Sequence, residues 1–298
     1  VTAHDFLGRD APNIVYDIET DSQGFVYMCT QIGVKKFNGN TISPVPHASN
    51  SKCVGHIMLY KDFFHRIWIQ SPRGITYIEN DSIMPFPLPD SLVKLFHLGC
   101  ESVYRDEDSI LHLAPRGYGY YKLYPDGSIQ EVIGRSSGYN CFVLTHLKDG
   151  TPFSFSIRKP RTDSLFIAYF DSSGIHKVCT TSHDMLNHTS SVAAHNDGSV
   201  SLSIGHRDII RIKKDSLISH TLFPQVVVQL FTDSRNDLWV STLGHGLFQC
   251  PNGIISTDRK FWEATDAVVA EDPEVGLWVK SSDRGFSLIP RLMIPHYS

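Results

Sequence analysis

The chain has 298 residues, 41% hydrophobic and 19% charged, enough length for a full core and ordinary for a water-exposed globular fold. No apolar run approaches the roughly 20 residues that a membrane span requires, so no membrane contact by this chain is expected. A net charge of -4 with dispersed lysines and arginines excludes the basic footprint that nucleic acid demands.

Val1 to Asp5 reads VTAHD, with no initiator Met and no charged-then-apolar leader, and the end reads MIPHYS; the chain is expected to be a fragment of a longer protein. Thr2 to Phe6 reads as one short strand with no partner nearby in sequence. The first unit, about 13–47, offers IVYDIE, an Asp21-led turn, FVYMCT, a turn at Gly33, VKKF, a tight hairpin at Asn38-Gly39-Asn40 and TISPV. A second unit, about 53–88, repeats the core as RIWIQSPRGITYI, and Gly74 follows Gly33 by 41 residues, which sets the period. The third, about 92–133, keeps the pattern but carries His112 where its sisters carry Trp. The fourth, about 139–178, has diverged most and holds a longer insertion, RKPRTDS. The fifth spans about 191–222. In the sixth, about 226–257, the pattern is clearest: VVVQLF, the turn Asp233 to Asp237, a strand with Trp239, a Gly-His-Gly turn, LFQC, then Asn252-Gly253 and IIST as a fourth strand. The seventh runs from about 267 to 298.

Helical periodicity is almost absent; 184–187 and 261–265 could each turn once and are read as loops. Seven units at a spacing near 40 match four-stranded blades. The fold class is therefore all-β: a single seven-bladed β-propeller of four-stranded antiparallel blades over 1–298, its ring closed by the N-terminal strand. Trp68, Trp239 and Trp278 occupy one position of the unit and read as wedges between neighbouring blades. Gly33, Gly74, Gly246 and Gly285 sit between second and third strands, where a positive φ or close approach excludes a side chain. The turns led by Asp21, Asp149, Asp171, Asp197 and Asp233 read as Asx turns, since none has the alternating oxygen ligands of a calcium loop.

Little in the chain points to catalysis. Six cysteines (Cys29, Cys53, Cys100, Cys141, Cys179, Cys250) show no CxxC and read as buried thiols. None of the 15 histidines falls in HExxH, and His183 and His188 read as surface residues, so no metal and no cofactor are expected. There is no GxSxG elbow. The run Asp106-Glu107-Asp108 reads as a solvated turn rather than paired glycosidase carboxylates. The candidate ligand site is built from the turns between second and third strands: Gln31, Arg73, Arg116, Tyr118, His206, Arg207, His245, Asp283 and Arg284. Mixed hydrogen-bonding side chains with an aromatic companion suit a neutral or acidic sugar, or a protein surface.

An apolar inner strand, Asp-Ser-x-Gly (Asp21 to Gly24) or Asp-Ser-x-Asn (Asp233 to Asn236), an apolar-Trp pair, Thr, Gly-apolar and an Asn-Gly turn together resemble the two-component regulator propeller repeat. The likeness is close in units one, two, six and seven and loose in three to five. The resemblance implies the periplasmic sensor region of a hybrid histidine kinase of Bacteroidetes-like bacteria. Its implied ligand is an oligosaccharide or related nutrient, and its implied partners are further domains of the same polypeptide and a second protomer as a homodimer. The kinase would lie beyond Ser298. A propeller lyase or glycosidase and a passive interaction scaffold are the alternatives.

Overall fold

The structure is a computed structural model that describes residues 15–30, 32–48, 58–71, 74–98, 100–115, 119–134, 140–141, 144–146, 152–158, 164–171, 174–182, 191–214, 216–263, 267–272, 274–281 and 285–295. It is an all-β propeller of four-stranded antiparallel blades. The first sheet holds β1 (Val15–Thr20), β2 (Val26–Thr30), β3 (Gly33–Phe37) and β4 (Ile42–Pro44) in sequence order. The second holds β5 (Met58–Lys61), β6 (Ile67–Ser71), β7 (Gly74–Glu79) and β8 (Ser82–Pro85), and the third β9 (Cys100–Arg105), β10 (Leu111–Pro115), β11 (Tyr120–Leu123) and β12 (Ile129–Ile133). The divergent fourth sheet has five strands: β13 (Asn140–Cys141), β14 (Leu144–His146), β15 (Pro152–Arg158), β16 (Ser164–Asp171) and β17 (Gly174–Ser182). The fifth is β18 (Ser191–Ala194), β19 (Val200–Ile204), β20 (Asp208–Lys213) and β21 (Ser216–Leu222), and the sixth β22 (Val227–Thr232), β23 (Leu238–Thr242), β24 (Gly246–Cys250) and β25 (Lys260–Trp262).

The seventh repeat yields three strands among the described residues: β26 (Val268–Asp272), β27 (Gly276–Ser281) and β28 (Gly285–Pro290). The expectation of seven four-stranded blades is thereby corrected to six blades of four or more strands among the described residues. Thr2 to Phe6, the segment expected to complete the last sheet, lies outside the described residues, as do the turn at Asp149-Gly150, Cys53, His183 and His188.

Two compact units divide the chain: Val1–Thr30, Lys35–Ser43 and Asp184–Ser298 in one, Gln31–Val34 and Pro44–His183 in the other. Within the first, β18 packs beside β22, β22 beside β26, and β26 beside β1. Within the second, β6 packs beside β9 and β9 beside β14. Second strands are covered on both faces, so β2, β10, β19 and β23 are buried at every position, the polar Thr30, His112, Ser201, Ser203, Ser241 and Thr242 included.

The Trp wedges are as expected. Trp68 packs into a cluster with Leu111, Leu113 and Tyr121 of the next sheet. Trp239 does the same with Val269, Leu277 and Val279, and Trp278 packs with Phe37, Phe286 and Val26. For Trp68 and Trp239 the turn Asp holds the wedge in place. The Asp62 Oδ1 accepts the Phe64 and Arg66 amides at 2.9 and 2.8 Å while its Oδ2 accepts the Trp68 indole N–H at 2.8 Å. Asp233 repeats the arrangement, with the Arg235 and Asp237 amides at 3.0 and 2.9 Å and the Trp239 N–H at 3.0 Å. The Asx reading is met at Asp21 and Asp197 as well.

Three expectations change. Asp90–Val93 forms a single helical turn that runs on as a 3-10 segment, Lys94–Leu98, and buries Leu92 and Phe96 beside Trp68. The fourth strand of the sixth sheet is Lys260–Trp262, overlapping the stretch read as a loop, while Asn252 and Gly253 adopt positive φ (54° and 72°) in a 3-10 turn and Ile254 to Thr257 forms no strand. Asp106 is not solvated: it is buried, and only Glu107 and Asp108 of that run are exposed.

Candidate functional site

Of the nine candidate turn residues, Gln31, Arg73, Arg116, Tyr118, Asp283 and Arg284 lie outside the described residues. The other three are positioned by two adjacent sheets. His206 and Arg207 form the turn between β19 and β20, and His245 sits between Gly244 (φ 74°) and Gly246 (φ 97°) in the turn between β23 and β24; all three side chains are exposed. One dipeptide joins the two turns. The Val227 amide donates to the His206 carbonyl at 2.7 Å, and the Val226 carbonyl accepts from the Leu243 amide at 2.8 Å. The backbone thus fixes both turns at the same end of the fifth and sixth sheets. An exposed guanidinium and two imidazoles there can donate and accept hydrogen bonds.

The opposite ends of the same sheets are committed to structure. Arg211 spends its guanidinium on Ser199 Oγ (2.8 Å), the Gly253 carbonyl (3.1 Å) and Asp197 Oδ2 (3.3 Å), tying the fifth sheet to the sixth. Partial burial works against the Asp197 charge but is outweighed by the Ser199 hydroxyl and amide and then by Arg211, which hold its carboxyl at about 2. Glu271 accepts from the Ser234 amide and hydroxyl at 2.7 and 2.8 Å and from Arg291 at 2.8 Å. These carboxylates are saturated by protein donors and have the geometry of clamps.

The feature that sequence reasoning missed is buried in the third sheet. His112 takes the wedge position. Its Nε2 lies 2.7 Å from Asp106 Oδ2 and its Nδ1 2.6 Å from the Tyr120 hydroxyl. A carboxylate only accepts, so Nε2 carries the proton toward Asp106, and Nδ1 shares the second bond with the Tyr120 hydroxyl. Burial penalises the Asp106 charge, yet the bonds from His112 and the Ile110 amide hold its carboxyl below the usual range. With His112 1% exposed and Tyr120 fully buried, this chain is closed to substrate. The signal was present in sequence as Asp six residues before Trp in the sister units.

Cys29, Cys100 and Cys250 are buried in strands, and burial first of all pushes the Cys250 thiol up to about 11. Among the described residues no cluster of His, Cys, Asp and Glu has metal-site geometry. No helix among them is long and apolar enough to cross a membrane.

With the geometry in place, comparison with solved proteins is informative. The chain is similar to the extracellular domain of a hybrid two-component system of B. thetaiotaomicron, at 14% identity and a TM-score of 0.71 over 98% of this chain and 43% of that one. A second such domain from the same organism is similar at 14% identity and a TM-score of 0.67, over 94% and 40% of the two chains. Virginiamycin B lyase from Staphylococcus aureus is similar at 14% identity and a TM-score of 0.68, over 97% and 98%. What is shared is the fold. This chain spans about two fifths of the two-component extracellular domains and nearly all of the lyase. No family model and no curated protein matches it.

Proposed function

We propose that the chain is the extracytoplasmic ligand-sensing part of a hybrid two-component receptor, a non-catalytic propeller that recognises a carbohydrate or related nutrient. The observation that supports this reading is the propeller likeness, over nearly the whole chain, to two extracellular domains of hybrid two-component systems. The repeat resemblance seen in sequence points the same way. His206, Arg207 and His245 are the described residues that would meet the ligand, since they face solvent on turns pinned by backbone bonds. In the periplasm, a sugar bound there would favour one packing arrangement of this propeller, the domain that follows and a second protomer. It can act only through tighter binding to that arrangement.

The test is calorimetric titration of the purified chain with a panel of soluble oligosaccharides, each mixture also analysed for cleavage products. Saturable binding without turnover is expected, weakened about tenfold or more in His245→Ala/Arg207→Ala, in line with the loss of a charge-assisted hydrogen bond. Turnover would overturn the sensor reading. A lyase reading has one observation in its favour, the near end-to-end likeness to virginiamycin B lyase. Because such a lyase has been solved with quinupristin, breakdown of quinupristin by this chain would establish that reading instead.

A further inference from the structure

The turn between first and second strands is polar in the first, third, fifth and sixth sheets, where the two residues after the leading position are Ser22-Gln23, Glu107-Asp108, Asn196-Asp197 and Ser234-Arg235. The second sheet breaks the rule with Phe63-Phe64. Phe63 is 53% exposed and Phe64 46%, so neither serves the core. Nor is the turn loose. Asp62 is itself buried and clamped by the Trp68 indole, and its carboxylate accepts the Phe64 and Arg66 amides. His65 takes a φ of 60° and donates its amide to the Asp62 carbonyl at 3.0 Å, and the Phe63 amide reaches across to the Arg105 carbonyl of the next sheet at 3.3 Å. The two rings meet edge to face at 5.5 Å. The Arg105 guanidinium lies 4.8 Å over the Phe64 ring and forms no ion pair among the described residues. Exposed Glu107 and Asp108 follow it within three residues.

A rigid aromatic surface, a guanidinium with free in-plane N–H groups and carboxylates close by in sequence make up the set a sugar ring needs. Its apolar C–H face stacks on the aromatic ring, and its hydroxyls require both donors and acceptors. We infer that Phe63, Phe64 and Arg105 form a second carbohydrate contact, a stacking platform for one pyranose ring, on the strand one–two turn of the second sheet and separate from the His206, Arg207 and His245 turns. Phe63 supplies the stacking face. Phe64 is held by Arg105 and braces Phe63. Arg105 donates to adjacent ring hydroxyls.

The inference rests on the carbohydrate reading above, and its test separates the two. The probes are soluble hexasaccharides of β-1,4-glucan, β-1,4-xylan, β-1,4-mannan and α-1,4-glucan, titrated calorimetrically into the wild-type chain, Phe63→Ala, Phe63→Trp, Arg105→Met and His245→Ala/Arg207→Ala. Phe63 is exposed, so its variants are expected to keep the wild-type unfolding temperature, which is measured alongside. For at least one glycan Phe63→Ala should weaken one class of sites about tenfold or abolish it, the loss of one stacking contact. Phe63→Trp should retain or tighten that class, and Arg105→Met should weaken it. His245→Ala/Arg207→Ala should leave it intact. Binding that is unchanged in Phe63→Ala overturns the platform and leaves the sensor reading standing. Absence of saturable binding to every glycan overturns both. A second copy of the chain or another protein seated on Phe63 would appear as a change of mass in light scattering that Phe63→Ala removes, and that outcome also overturns the sugar assignment.

Discussion

At the scale of the residue, the repeat is a device for satisfying one buried indole. Trp68 and Trp239 are fully buried, and each gives its N–H to a turn carboxylate that also organises the turn backbone. The third sheet solves the same problem with an imidazole, and the fifth with His195, whose Nε2 lies 2.8 Å from Ser201 Oγ. Trp278 is the exception. Asp272 accepts the Glu274 and Val275 amides at 3.0 and 3.2 Å, but the Trp278 N–H meets no acceptor among the described residues, and the ring is held by stacking on Phe286 at 4.8 Å. This contrast sets up a measurement. Both Trp239→Phe and Trp278→Phe lose ring volume, but only the first strands a buried carboxylate oxygen. A hydrogen bond to a charged group is worth about 1.5–3 kcal/mol, so Trp239→Phe should be the more destabilising by about 2 kcal/mol in urea unfolding. Equal losses would show that the indole bond contributes nothing beyond packing.

Among the elements, two third strands begin tightly against a fourth. Gly246 has φ 97°, and a Cβ there would stand 2.1 Å from the Trp262 carbonyl oxygen; Gly119 has φ 92° and would meet the Ile133 carbonyl at 1.9 Å. Gly39 shares the positive φ but faces open space. Left-handed backbone costs a side chain about 1–2 kcal/mol, and Gly39→Ala should lose about that. Gly246→Ala must also push β25 away from β24, so its loss should exceed that of Gly39→Ala by about 2 kcal/mol or more, read from thermal unfolding. The same comparison explains what was legible in the sequence. Second strands announce themselves because all five residues of β23 are buried, and turns do so because an Asp or an Asn-Gly fixes them locally. β25 was not legible: it is three residues long, and its pairing is set by the approach of Trp262 to Gly246, a contact without local sequence signature. The Asp90–Val93 turn buries Leu92 and Phe96 at a single helical spacing, too short a run to register as a period. Of the candidate site, His206, Arg207 and His245 were legible as polar residues of turns between second and third strands, and they are exposed there. The Phe63-Phe64 turn was not, because two phenylalanines after an apolar strand read as more core until their exposure is known.

For the whole molecule, the consequence of blade construction is cooperativity. Among the described residues the cores are shared between sheets: the Trp68 cluster spans the second and third sheets, and the Trp239 cluster spans the sixth and seventh. A repeat that buries its apolar face only against its neighbours has no stable state alone, and stability becomes a sum over interfaces. The tryptophans report this directly, since Trp68 belongs to one compact unit and Trp239, Trp262 and Trp278 to the other. Labelling with 5-fluorotryptophan gives each a separate fluorine resonance, and urea titration follows all of them in one sample. If the chain acts as one propeller domain, the native resonances of Trp68 and Trp239 should vanish with coincident midpoints, the criterion for two-state unfolding. Loss of Trp68 at a distinctly lower urea concentration would instead identify two units that unfold separately. In that case ligand binding to the exposed turns of the fifth and sixth sheets would raise the Trp239 midpoint alone, by mass action on the unit that carries the site.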